Sequence, residues 1–280
     1  MRKIIRFFAW LLGILVLILL GVFAWAMADQ LYTGDLRMTD CKQIKDHIYP
    51  PIAEAAMPLY EQANQLRKAF PRTEENAQQA YDLYQQAAEL GHWKAEINIA
   101  FLIATGRVAA KRGEASKRLE RLMEKQVPDA YLQMSTFYKR GIDGKRRSRG
   151  KALRLLRQAA ELGLPKAQYH LGEYYSAKVE DEEAKKWLHC ALDQGYGDAG
   201  YGLMFIYKDK QDHKALQALK QGSRYGSKKA LSALAGKYWG GGLGLNKDEK
   251  RALCINNLEP DQEYPDLDER CLPVVEQPYE

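Results

Sequence analysis

A chain of 280 residues, 46% hydrophobic and 28% charged with 10 prolines, has the composition of a folded protein of one or two domains and not of a disordered tract. Its net charge of +6 divides over 42 basic and 36 acidic residues, so neither sign dominates the chain as a whole.

The first 28 residues stand apart. Arg2, Lys3 and Arg6 precede Phe7–Ala28, which carries no charge. As a helix rising about 1.5 Å per residue, that run is about 33 Å long, enough to span a bilayer. Cleaved signal peptides have shorter apolar cores of about 7–15 residues, which favours an uncleaved anchor. The alternative is a soluble protein cut after Ala28, because Ala26-Met27-Ala28 has the small-x-small form of a cleavage site. No cysteine lies in or just after the run, which argues against a lipoprotein. The flanking positive charges place the N-terminus in the cytosol and residues 29–280 across the membrane. The chain contains no Asn-x-Ser/Thr acceptor, which favours a bacterial periplasm over a eukaryotic lumen. The expected location is the bacterial inner membrane, single-pass, with the C-terminal domain in the periplasm.

Residues 29–51 read as a linker. Ile52–Phe70 reads as a helix covering the front end of the next region, within a capping segment of residues 52–76. Beyond it the sequence repeats. QAAELG occurs at 86–91 and again at 158–163. Ala95, Ala130, Ala167, Ala199 and Ala230 are spaced 35, 37, 32 and 31 residues apart. Four residues after each come Ile99, Met134, Leu171, Leu203 and Leu234, and four further Ile103, Tyr138, Tyr175, Tyr207 and Tyr238. A period of four keeps them on one helix face.

A turn position precedes each ruler alanine: Gly91, Gln126, Gly163, Gly195 and Gly226. Eleven residues before it stands an alanine every time, at 80, 115, 152, 184 and 215. With the apolar residues four and seven positions further along, these form the stripe of a first helix. The turn glycine can take the left-handed conformation that ends a helix, and Pro128 and Pro165 suit the first position of the next. Residues 77–240 therefore read as five helix pairs, within a repeat region of 77–251. Ala252 and Ile255 open a degenerate sixth unit, which with the acidic tail forms a C-terminal cap at 252–280. The expected fold is all-α, a right-handed α-solenoid of paired antiparallel helices behind an N-terminal transmembrane helix.

The A-x10-G-x3-A-x3-L-x3-Y spacing and the AAELG string resemble the Sel-one-like repeat family, a relative of the tetratricopeptide repeat. The resemblance covers about 60% of the chain as a repeat count. Several units are shorter than is usual for the family, and Gln126 stands where a glycine is expected. The disulfide pair within each repeat of its cysteine-rich secreted members is missing.

Chemistry-bearing motifs are few. YWGGGLGLNK at 238–247 follows a helix and lacks the Ser or Thr after Lys247 that a phosphate loop needs, so it reads as a turn. The histidines, His47, His92, His170, His189 and His213, show no metal-ligand spacing, and no serine sits in a G-x-S-x-G elbow. No catalytic, cofactor or metal residue is assigned. Lys139–Lys151 holds seven basic residues and one acid and reads as the longest inter-repeat loop, with Arg146, Arg147 and Arg149 as partner-binding candidates. The bland reading is a solvated loop. The functional one is a dock for an acidic partner or anionic headgroups. Trp93 and Trp239, near turns, are candidate interface anchors. Four cysteines allow three full pairings. Cys254–Cys271 is the preferred disulfide, and Cys190 reads as a small buried residue.

These features predict a non-enzymatic protein-binding solenoid, tethered by its N-terminal helix, with no nucleic-acid partner. Exported repeat proteins with this kind of acidic cap resemble immunity proteins against lipase-like effectors delivered by type VI secretion. The resemblance implies a toxic phospholipase as partner. The alternative is an envelope scaffold that assembles a membrane complex. An enzyme acting on cell-wall material ranks last.

Overall fold

The structure, a computed structural model, describes residues 41–208 and 211–271. The expected anchor, the first part of the expected linker and the end of the tail lie outside these residues. Among the described residues no helix is long and apolar enough to cross a membrane.

Helix α1 (Ala56–Lys68) precedes five consecutive pairs. These are α2 (Glu74–Glu89) with α3 (Trp93–Ala104), α4 (Glu114–Glu124) with α5 (Pro128–Arg140), and α6 (Arg149–Glu161) with α7 (Pro165–Ser176). Then come α8 (Asp181–Asp193) with α9 (Asp198–Tyr207), and α10 (Asp212–Arg224) with α11 (Lys228–Gly240). Helix α12 (Glu249–Asn256) is the first half of a sixth unit, and the short α13 (Leu267–Arg270) lies in the tail. The fold is a solenoid of successive helix pairs, and no β-strand occurs among the described residues.

The repeat spacing translates directly into burial. The five ruler alanines are fully buried, and Ile99, Met134, Leu171, Leu203 and Leu234 are at most 2% exposed. Removing such a side chain from water contributes roughly 1.5–3 kcal/mol. The alanines let neighbouring helices approach closely, so the core continues from unit to unit. All five turn residues have positive φ, Gln126 included at 58°. A non-glycine side chain therefore occupies the left-handed region there at some conformational cost. Pro128 and Pro165 occupy the first turns of α5 and α7. Side-chain caps from Thr73, His92, Ser148, Ser227 and Asp248 start α2, α3, α6, α11 and α12.

Each unit presents a tight turn at one edge and a longer loop to the next unit at the other. The turn edge is covered. Residues 41–52, expected as a linker up to 51, instead run back across the turns. Gln168 donates to the Lys42 carbonyl, and the Ile44 amide donates to Gln194 Oε1 at 2.7 Å. Gly163 has φ +95°, and a Cβ there would lie 2.8 Å from the Gln43 backbone, so the turn glycine is also the seat of the strap. Tyr49 donates to Asp129 at 3.0 Å. Ile52 packs between the cores of the first and second units.

The tail covers the fifth turn in the same way. The Asp261 amide donates to the Gly226 carbonyl, and the Tyr264 amide donates to the Arg224 carbonyl. Tyr264, Leu267 and Cys271 extend the last core. Burial pushes the Asp268 carboxyl up, but hydrogen bonds from Lys220 and Arg224 outweigh it and hold the group below its usual range. Two disulfides fasten these segments, Cys254–Cys271 in the tail and Cys41–Cys190 on the strap. Cys190 is buried, but it is a crosslink partner and not merely a small core residue.

Candidate protein-binding surface

The five candidate surface residues do not converge. Trp93 opens α3 at the turn edge, is 7% exposed and stacks on Tyr49 with ring centroids 4.5 Å apart. It anchors the strap, so its ring is not offered to a partner. Trp239, near the end of α11 at the loop edge, is 51% exposed. Arg146 and Arg147 are exposed in the loop 141–148, and Arg149 is exposed at the start of α6.

The basic segment is shorter as a loop than expected. Lys139 and Arg140 end α5, while Arg149 and Lys151 begin α6. Lysine and arginine are good helix formers, so the helices extend into the charged run. The loop 105–113, between α3 and α4, is the longer one. It adds Arg107, Lys111 and Arg112 to the same edge. Repeat register was the signal for this: Arg112 and Arg149 stand three residues before Ala115 and Ala152, equivalent positions one unit apart. In the following units that position holds Asp181, Asp212 and Glu249, so the charge at this register position changes sign along the chain.

The basic loop is held in shape from within. Asp143, with φ 53°, turns its carboxylate inward. It accepts from the Gly113 amide at 2.7 Å and the Ser116 amide at 2.6 Å. It thereby caps α4 from the neighbouring loop, where the helix dipole favours an anion. Lys145 pairs with Glu120 at 2.7 Å. Arg112, Arg146, Arg147 and Arg149 form no ion pair with a described residue.

The densest group of perturbed titratable side chains lies elsewhere, along α7, α9 and α11. Ser227 donates to Asp198 Oδ1 at 2.6 Å, and Lys229 bridges Asp198 Oδ2 at 3.0 Å and the Tyr169 hydroxyl at 3.1 Å. Tyr169 donates to Glu173 at 2.6 Å, and Glu173 meets His170 Nδ1 at 3.0 Å. The hydrogen bond to Tyr169, then the one to Asp198, raises the Lys229 pKa and holds the amine protonated. The His170 contact outweighs burial and keeps Glu173 ionised. The network braces three units against one another. No group of three His, Cys, Asp or Glu suited to a metal occurs among the described residues. Asp181, Glu182 and Glu183 lie in the first turn of α8, where the helix dipole favours acids.

Fold and surface together define a helical-repeat protein of the kind that works by binding another protein. Residues 71–92, 128–164 and 165–196 match the Sel1 repeat family. No curated protein matches the chain. Among solved structures it is similar to the immunity protein PA5088 from Pseudomonas aeruginosa, at 27% identity and TM-score 0.65 over 83% of this chain and 93% of that one. Immunity protein Pa5087 from the same organism is 26% identical at TM-score 0.62, over 82% and 92%. A third P. aeruginosa protein, PA5086, is 28% identical at TM-score 0.62, over 82% and 92%.

Proposed function

We propose that this chain is an immunity protein, displayed on the periplasmic side of the inner membrane, that binds and neutralises a lipase-like toxin delivered by type VI secretion. The observation that carries the reading is its likeness to two solved immunity proteins over more than nine-tenths of their length. The charge-free run Phe7–Ala28 behind Arg2, Lys3 and Arg6 supports a membrane tether. Four cysteines joined as two disulfides support an oxidising compartment. A solenoid that occludes an incoming enzyme needs no chemistry of its own, and charged loops would speed capture.

The test uses the full chain as bait against the secreted and envelope fractions of the source organism. The expected result is one stoichiometric lipase whose activity is lost on one-to-one addition of the chain. A set of resident envelope proteins with no such enzyme overturns the reading and leaves an envelope scaffold.

A further inference from the structure

Between the loops 105–113 and 141–148 lies an open depression of about 560 Å³. Ile103, Val108, Ala109 and Ala110 line it together with the charged residues Arg112, Asp143 and Lys145. We propose that this depression is a docking site for an acidic loop of a partner protein, one carrying an apolar side chain between carboxylates. The inference rests on the protein-binding reading above and names the surface and the partner chemistry.

Three observations carry it. First, three of the cations, Arg112, Lys145 and Arg147, are held in position rather than left loose. The Arg112 side chain lies across Gly144, where a Cβ would be 2.7 Å from its Nε. The Arg147 stem lies across Gly141, where a Cβ would be 2.8 Å from Cγ. Lys145 is paired with Glu120 and sits 5.9 Å from the Tyr138 ring centroid. Arginines laid along a backbone lose less freedom when they bind a carboxylate, and their planar forks suit it.

Second, the charge is uncompensated. Asp143, the acid of this segment, is committed to the start of α4, and no described carboxylate pairs with Arg112, Arg146, Arg147 or Arg149. Such a like-charged cluster repels itself, and an acidic ligand relieves it.

Third, the apolar component is small: Val108 is buried, Ile103 is half-buried, and Ala109 and Ala110 expose only short side chains. None of the exposed large hydrophobic residues falls within 105–113 or 141–149. A bilayer-binding surface would present side chains for insertion, and a single-stranded nucleic acid would want exposed aromatic rings to stack on. An open hollow of mixed lining beside positioned cations suits a side chain projecting from a folded partner.

The test uses the full chain in phosphatidylcholine nanodiscs and three synthetic 12-residue peptides: alternating Glu and Leu, alternating Gln and Leu, and all Glu. The Glu–Leu peptide should bind best, at least tenfold tighter than either control, and should slow amide exchange in both loops. R146E/R147E/R149E should weaken it at least tenfold. Ala109→Trp, which fills the hollow without changing charge, should weaken it severalfold. Equal affinity for the Gln–Leu peptide, or unchanged affinity in the triple variant, overturns the site. So does loop protection produced by discs containing phosphatidylglycerol without peptide, which would assign the surface to lipid. Inhibition of the lipase separates the two readings. If the triple variant inhibits as well as the parent chain, the docking site fails and the immunity reading stands. If the parent chain inhibits no lipase, the immunity reading fails and the peptide result decides the site.

Discussion

Every repeat contributes one turn and one loop, and the two edges they build meet different surroundings. At the turn edge the chain covers itself. The strap lies over Gly163 and Trp93, the tail lies over Gly226, and each is held by a disulfide. At the loop edge Arg112, Arg146, Arg147 and Arg149 are exposed beside an open hollow. An edge filled by the chain's own segments is spent on stability, while an uncovered, shaped and charged edge is available for recognition. Substitutions at the first should therefore change folding, and those at the second should change binding.

Trp93→Ala should give the largest effect. Losing a ring buried under Tyr49 should cost about 3–5 kcal/mol in urea denaturation. Trp239→Ala, at the other edge, should stay within about 0.5 kcal/mol. Similar costs at the two tryptophans would erase the distinction between the edges. Replacing Cys41 and Cys190 together by Ser removes a crosslink that closes 149 residues of chain and should cost about 2–5 kcal/mol. Thermal unfolding with and without reductant reads this directly, since only the parent chain should respond at the strap. Gly163→Ala places a side chain against the strap backbone at φ +95° and should cost about 1–3 kcal/mol.

A smaller, pH-dependent effect belongs to the turn edge as well. Burial, with Lys42 beside His47 and Lys94 beside His92, lowers both imidazoles below their ordinary value, against the opposing pull of Asp129 on His47. The unfolded chain takes up protons near pH 6.5 while the folded chain resists them. Stability should therefore be level above about pH 7 and fall as the pH drops through 6.5 towards the folded values. The melting temperature should be lower at pH 5.5 than at pH 7.5, and His92→Asn, which keeps a capping side chain, should flatten the profile. A profile with no slope in that window would place the imidazoles in water. Smallest of all, R146E/R147E/R149E should move stability by about 0.5 kcal/mol or less, because these exposed charges have no described partner to lose.

The helices were legible because each repeat unit is local. Alanine, leucine and glycine recur at spacings set by helix geometry and by contact with the next unit, so five pairs could be laid out from the chain alone. Those same spacings placed Gln126 at a turn, and it takes the positive φ of its glycine counterparts. The basic run was visible, but not how much of it is loop, because charge does not mark where a helix ends. The strap left no such trace. Its contact between Ile44 and Gln194 joins residues 150 apart, and it belongs to no repeat.

The sequence by itself determined the order of helices, the turns, the buried faces and the presence of a basic segment. Only the tertiary structure decided that Trp93 is covered while Trp239 is bare, and that Cys190 is joined to Cys41. It also decided that two loops share one hollow, with Asp143 on its wall and its carboxylate bonded to the start of α4. The division has a physical reason. Periodic local contacts imprint themselves on spacing, whereas a contact closed across a long stretch of chain depends on where the whole solenoid has already placed its edges.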